Sequence, residues 1–214
     1  FNQFHLLTRE TTTQNDNERM EETNYGLKPD THFENQDPDC QLPKAVTTTW
    51  RFSNTSRFRS ETVSSRYDIH GNLVEQIQAN GVVEESKWYP AEGADGCPPD
   101  PEGFVRNVQE KIVRPAASDH GQAPTLCTRY RYMALPAITG SQGNDWLTVE
   151  RETLVQTAPG AEEELQHSLF EYINDPADAF AHGRIERQTL TMGGQATTTG
   201  FVYDTLLSPI FGES

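Results

Sequence analysis

The residues of this 214-residue chain best suited to chemistry are carboxylates set in turn-rich stretches. Asp100-Pro101-Glu102-Gly103 places an acid in a Pro-Gly turn. A paired-carboxylate mechanism needs a second acid close enough to share a proton, so that the two pKa values split. No second Asp-Pro-x-Gly occurs, and the expectation is a turn rather than a paired-acid site. Ser118-Asp119-His120 holds the residue types of a hydrolytic triad, but triad members converge from separate parts of a chain, so this stretch reads as loop. Asn174-Asp175-Pro176-Ala177-Asp178 and Asp37-Pro38-Asp39 gather oxygen ligands of the kind Ca²⁺ takes, without the spacing of a calcium loop; acidic turns are expected. Cys40, Cys97 and Cys127 are odd in number and lack a C-x-x-C pair, which suggests occasional thiols and leaves one bridge between two of them open. Trp50, Trp88 and Trp146 can stack on sugars, although aromatics aligned with a repeat more often pack. Asn54-Thr55-Ser56 matches a glycosylation acceptor, which matters only in a secreted eukaryotic chain. There is no G-x-S-x-G elbow, H-E-x-x-H, P-loop or dinucleotide fingerprint, and the six histidines stand singly. Neither a catalytic residue nor a cofactor or metal is expected.

The elements that carry these residues are short of apolar side chains. A hydrophobic fraction of 34% is too low for a thick dry core, yet three Trp, seven Tyr and ten Phe are more aromatics than a disordered chain carries. The reading is a folded, thin-walled protein. A net charge of -15 repels phosphate backbones and anionic lipid, so nucleic acid is not an expected partner. No run of eighteen apolar residues marks a membrane span, and no leader follows Phe1; the chain is expected to be a piece of a longer one, with any targeting signal outside it.

One pattern recurs: an aromatic, then Asp or a small polar residue, a short turn, an apolar residue and a polar strand. Its clearest copy is Tyr67-Asp68-Ile69-His70-Gly71-Asn72-Leu73, which runs on to Asn80-Gly81 and ends at Trp88-Tyr89. Asn-Gly suits a type I′ turn with both residues at positive φ, so residues 73 to 89 are expected to form a hairpin. Gly183-Arg184-Ile185 opens a second copy, Gly193-Gly194 turns it, and Phe201-Val202-Tyr203-Asp204 closes it and starts another unit. Gly to closing aromatic is 17 positions in the first (Gly71 to Trp88) and 18 in the second (Gly183 to Phe201). Phe1-Asn2 leading to Leu6-Leu7, and Phe52-Ser53 leading to Phe58, are looser copies. Alternation places Thr48, Trp50 and Phe52 on one face, likewise Tyr130 with Tyr132 and Phe170 with Tyr172. Phe104 to Val113 reads as a strand, and Ala161 to Leu165, after Pro159-Gly160, as an acidic hairpin tip. Loops are expected near 30–43, 90–103 and 115–124, and almost no helix.

The Tyr67-Asp68-x-x-Gly71-Asn72-Leu73 stretch with Gly81 and Trp88-Tyr89 resembles the YD repeat of Rhs proteins, Tc toxin components and teneurins. Trp88 to Gly93, the Gly96-Cys97-Pro98 turn, Asp100 to Arg106 and Thr128 to Tyr132 are similar to interruptions in those proteins. The resemblance implies an all-β fold of consecutive antiparallel hairpins making a curved single-sheet wall, with residues 1–214 one segment of a shell. The YD-position residues, here Tyr67, Asp68, Gly71, Asn72, Leu73, Gly81, Trp88, Tyr89, Gly183, Ile185, Phe201, Tyr203 and Asp204, would be structural. The implied function is non-catalytic: a secreted bacterial toxin shell that encloses a toxic C-terminal domain, with the rest of the shell polypeptide or a partner shell subunit as neighbour. Rhs shells end in a self-cleaving site built on two Asp-Pro-x-Gly motifs, so the single motif here places the segment before that region. A surface adhesion or carbohydrate-binding module is the alternative, and a hydrolase in the loops around 90 to 124 a third reading.

Overall fold

The computed structural model describes residues 1–15, 17–52, 56–119, 121, 123–158 (Ala158 by its backbone) and 161–204. Ser53, the Asn54-Thr55-Ser56 acceptor's first two residues, His120 and Pro159-Gly160 lie outside the described residues. Twelve strands follow one another: β1 (Arg9–Gln14), β2 (Asn17–Asn24), β3 (Ala45–Phe52), β4 (Phe58–Tyr67), β5 (Leu73–Ile77), β6 (Val83–Trp88), β7 (Val108–Arg114), β8 (Thr125–Leu135), β9 (Trp146–Ala158), β10 (Ala161–Tyr172), β11 (Ile185–Met192) and β12 (Gln195–Gly200). They hydrogen-bond in sequence order in one open sheet, and every described register is antiparallel. The all-β hairpin expectation is met; among the described residues the only helix is a three-residue 3-10 turn, Phe33–Asn35. By its contacts the chain divides into two units. One comprises Phe1–Trp88, Val108–Cys127 and Gln156–Ala161; the other comprises Tyr89–Asn107, Thr128–Val155 and the chain from Glu162 onward.

In the first unit the registers align residues into rows across four strands. Thr12, Arg19, Trp50 and Arg59 are direct neighbours on one face, and Thr11, Met20, Thr49 and Ser60 on the other. Threonines favour this arrangement because a β-branched side chain fits a pleated, half-wet surface and its hydroxyl can pair across strands. Thr47 and Thr62 meet at 2.9 Å, Thr49 and Ser60 at 3.1 Å. Buried apolar side chains in this unit are Met20, Cys40 and Cys127; the second unit buries Tyr89, Cys97, Leu135 and Val155. Among the described residues only Leu135 is completely enclosed among the large side chains, so the described part of neither unit has the deep apolar core that usually dominates folding energy.

The turns show how the polar sequence closes its hairpins. Between β5 and β6, Gln78 N–H donates to Val82 O (2.8 Å) and Gly81 N–H to Gln78 O (2.9 Å). Gly81 alone takes the left-handed conformation, at φ +85°, while Asn80 does not. The expected type I′ turn is therefore a type I turn followed by a left-handed glycine, a three-residue loop. Asn80 Oδ1 accepts the Val82 N–H at 3.0 Å, a local side-chain turn that braces this loop. Gly193 and Gly194, at φ +56° and +76°, supply the two positive angles that a two-residue loop needs.

Two further expectations change, and one holds. The strand expected from Phe104 begins at Val108, because residues 104 to 107 are drawn onto Asp100 as described below. Ala161 to Leu165 is not a hairpin tip but the first part of β10, its acids held by Arg129 to Glu162 and Arg151 to Glu164 pairs. Phe170 and Tyr172 keep the expected alternation along β10, both half-buried with Glu171 exposed between them, and the register shift there falls on Glu186 of β11. Described residues of 30–43, 90–103 and 115–124 carry no strand beyond the isolated bridge between Ala94 and Cys97.

Gly71 and Gly183 both hold positive φ, +82° and +80°. A Cβ at Gly71 would meet only Leu42 Cδ1 at 3.7 Å, whereas one at Gly183 would lie 2.6 Å from the Trp146 ring. Gly71→Ala is expected to cost about 1–2 kcal/mol from conformation alone, and Gly183→Ala clearly more. Urea denaturation midpoints check the order, and equal losses would contradict it.

Candidate functional site

The repeat-bearing aromatics make one bond in common. Tyr25, just past β2, donates its phenol to Leu7 O at 3.0 Å; Tyr67, ending β4, to Pro43 O at 3.2 Å. Trp88, ending β6, donates its indole N–H to Leu73 O at 3.1 Å. Tyr172, ending β10, reaches Val149 O at 2.7 Å, and Tyr203, past β12, reaches Ile185 O at 2.8 Å. Each ties the end of a hairpin's second strand to the start or neighbourhood of its first. A polar tip on an aromatic body suits this, since the ring covers apolar surface while the donor satisfies a carbonyl. Beside Tyr67, Trp88 and Tyr172 the register shifts by one extra residue in the facing strand, Val74, Gln109 and Glu186. Across the sheet the three aromatics face Leu73, Val108 and Ile185. The β7–β8 hairpin differs: β8 ends in the enclosed Leu135, and Tyr89 instead donates to Tyr130 O at 2.9 Å while packing edge-on against Tyr132. Burial pushes the Tyr89 phenol above its ordinary pKa.

Phe201, placed opposite Trp88 by spacing, has no such donor; its backbone N–H bonds Glu186 O at 3.0 Å, and Tyr203 makes the closing bond. Tyr25 and Tyr172 were not singled out as closers. Their signal is an aromatic at the end of a polar strand with Gly or Asn within two residues, Tyr25-Gly26 and Tyr172-Ile173-Asn174.

The Asp of the Tyr-Asp pair also has a defined task. Asp68 Oδ1 accepts the N–H groups of His70 (2.8 Å) and Asn72 (2.9 Å), and Gly71 N–H donates back to Asp68 O at 3.1 Å. Asn2 repeats this with Phe4 (2.9 Å) and Leu6 (3.0 Å), and His5 stands at the glycine position with φ +60°. Asp100 repeats it a third time with Glu102 (3.0 Å) and Phe104 (3.1 Å), and Gly103 N–H donates to Asp100 O at 3.0 Å. The Asp-Pro-x-Gly stretch is thus the same loop as the Tyr-Asp one. Asp204 is exposed at the last described position.

Asp100 is buried, and its second oxygen takes Arg106 Nε at 2.7 Å and Asn107 Nδ2 at 3.5 Å. Burial by itself would raise its pKa; the Phe104 and Glu102 N–H groups and the Arg106 guanidinium outweigh it and hold the carboxyl below its usual range. An ionised carboxylate with both oxygens engaged is built to organise a loop. The other candidates are similarly occupied. Asp37 pairs with Lys28 (2.7 Å) and Asp39 with Lys44 (3.0 Å). Asp175 Oδ1 accepts the Ala177 N–H, and Asp178 Oδ1 those of Phe180 and Ala181. Among the described residues no three His, Cys, Asp or Glu converge as a metal set. All three cysteines are buried and none is in a disulfide. Burial, then the Asp100 charge, push the Cys97 pKa up to about 11, so it carries almost no reactive thiolate near neutrality. No helix among the described residues is long and apolar enough to cross a membrane.

The tryptophans differ in their surroundings. Trp88 spends its N–H on Leu73, and Trp146 packs edge-on against the buried His182 at 5.0 Å. Trp50 lines an open groove of about 710 Å³ on the β1–β4 face, with the Arg59 guanidinium 5.9 Å from its ring centre.

No family model matches this chain, and no curated protein matches its sequence.

Asp100, with its lowered pKa, adds stability that is complete above the unfolded value near ~3.9 and is lost as pH falls through the folded value. Asp100→Asn should therefore flatten the acid limb of stability against pH. Asp100→Ala, which strands two backbone donors, should cost about 1–3 kcal/mol for each. Unchanged acid unfolding in Asp100→Asn would refute the assignment.

Proposed function

We propose that this chain is a wall segment of a YD-repeat (Rhs-type) shell, with no turnover and no cofactor. The observation that supports the reading most is the shared bond at Tyr25, Tyr67, Trp88, Tyr172 and Tyr203: five of the six hairpins are closed by an aromatic donor on a backbone carbonyl. Tyr67-Asp68 and Tyr203-Asp204 carry the Tyr-Asp pair itself. Apart from the exposed Asp119, the acids and thiols singled out for chemistry are engaged in loop bonds or ion pairs or are buried, which favours architecture over catalysis. Strands such as β1 and β12 expose every residue and carry Thr, Gln and Glu rather than apolar groups. A polar wall of this kind confines a neighbouring domain without offering it a surface to fold onto.

In this reading the shell is secreted, and it holds a toxic domain supplied by the rest of the polypeptide or by a partner subunit. Limited proteolysis of the full-length native protein tests it. The domain following the wall should stay uncut while exposed stretches such as 117–119 are cleaved, and should be digested once the wall is denatured. Equal digestion of that domain before and after denaturation would overturn the proposal.

A further inference from the structure

We propose that the Trp50 groove binds a neutral oligosaccharide. The site rests on its own geometry and is independent of the wall reading. Four adjacent strands contribute Thr12, Arg19, Trp50 and Arg59 as a row of direct neighbours on one face, about 14 Å across at the usual strand spacing. The next row on that face, about 7 Å along, brings Gln14, Asn17 and the exposed Phe52. All of these line the same groove. The Trp50 indole N–H bonds no described residue, and within the groove it offers a ring edge and a donor to a ligand.

The charges decide the ligand class. Arg19 is bonded to Glu21, Arg59 to Glu61, and Arg51 lies 3.9 Å from Glu18. An anionic ligand would have to displace a carboxylate from its guanidinium, and a cationic one would meet the arginines. A polyhydroxylated neutral ligand uses donors and acceptors together. Its hydroxyls can take bonds from the arginines and the Gln14 and Asn17 amides and give them to the glutamates. Its C–H face can lie on an aromatic ring, the combination of apolar platform and few placed polar groups that defines small-ligand sites.

The test is titration calorimetry of the whole chain with cellohexaose, chitohexaose, maltohexaose and mannohexaose, beside heparin fragments and an unstructured peptide. Saturable binding of at least one neutral hexaose is expected. Trp50→Ala should weaken it at least tenfold, and Trp146→Phe should leave it unchanged. Should Trp50→Ala fail to fold, the exposed pair Gln14→Ala with Asn17→Ala must weaken binding instead. Absence of binding to all four neutral hexaoses, binding to heparin or peptide alone, or full binding by these groove variants would overturn the proposal.

Discussion

A sheet that is wet on both faces must hold its hairpins together without a deep core, and the carbonyls at hairpin ends are where water would first compete. The aromatic donors answer both needs with one side chain. A typical intramolecular hydrogen bond is worth about 0.5–1.5 kcal/mol net, and the ring adds burial that a Ser or Asn donor would not. The ion pairs across the sheet, such as Arg187 with Glu171, are half-exposed on both sides and add little by comparison. Closure by Tyr or Trp at five of the six hairpin ends is therefore the interaction on which the rest depends. Beside each of Tyr67, Trp88 and Tyr172 the facing strand carries one extra residue, Val74, Gln109 and Glu186, so the ladder is irregular where the ring closes it.

The loop acids complete the same design. Asn2, Asp68 and Asp100 sit at the first position of equivalent loops, and in each the side-chain oxygen takes the N–H groups two and four residues on. Where a strand begins is thus set by a short polar side chain rather than by apolar burial. Asp100 shows the device at its most developed, because Arg106 and Asn107 extend its reach and delay β7 until Val108. Residue types that suggest acid chemistry in sequence serve here as loop scaffolds.

The hairpins were legible where turn chemistry is local: Gly71, Gly81 and Gly193-Gly194 mark their loops plainly. The closing bond was only partly legible. Donor and acceptor lie 18, 24, 15, 23 and 18 positions apart, because strands range from five to thirteen residues, so a fixed spacing finds some copies and misplaces others. That is why Phe201 stood in for Tyr203. The type I′ reading of Asn80-Gly81 missed a side-chain bond to Val82, and the acidic start of β10 looked like a loop because its compensating arginines, Arg129 and Arg151, are remote in sequence. The Trp50 groove needed the register, which aligns residues from four strands that sequence alone leaves unconnected.

Amide hydrogen exchange of Tyr67→Phe, read by mass spectrometry, tests the central claim most directly. The phenol's bond to Pro43 O is lost while the ring stays. Exchange across β3 and β4 should then quicken about two- to tenfold, while β11 and β12, closed by Tyr203, keep their parent rates. Unchanged protection in β3 and β4, or a uniform loss across all twelve strands, would contradict hairpin-by-hairpin closure.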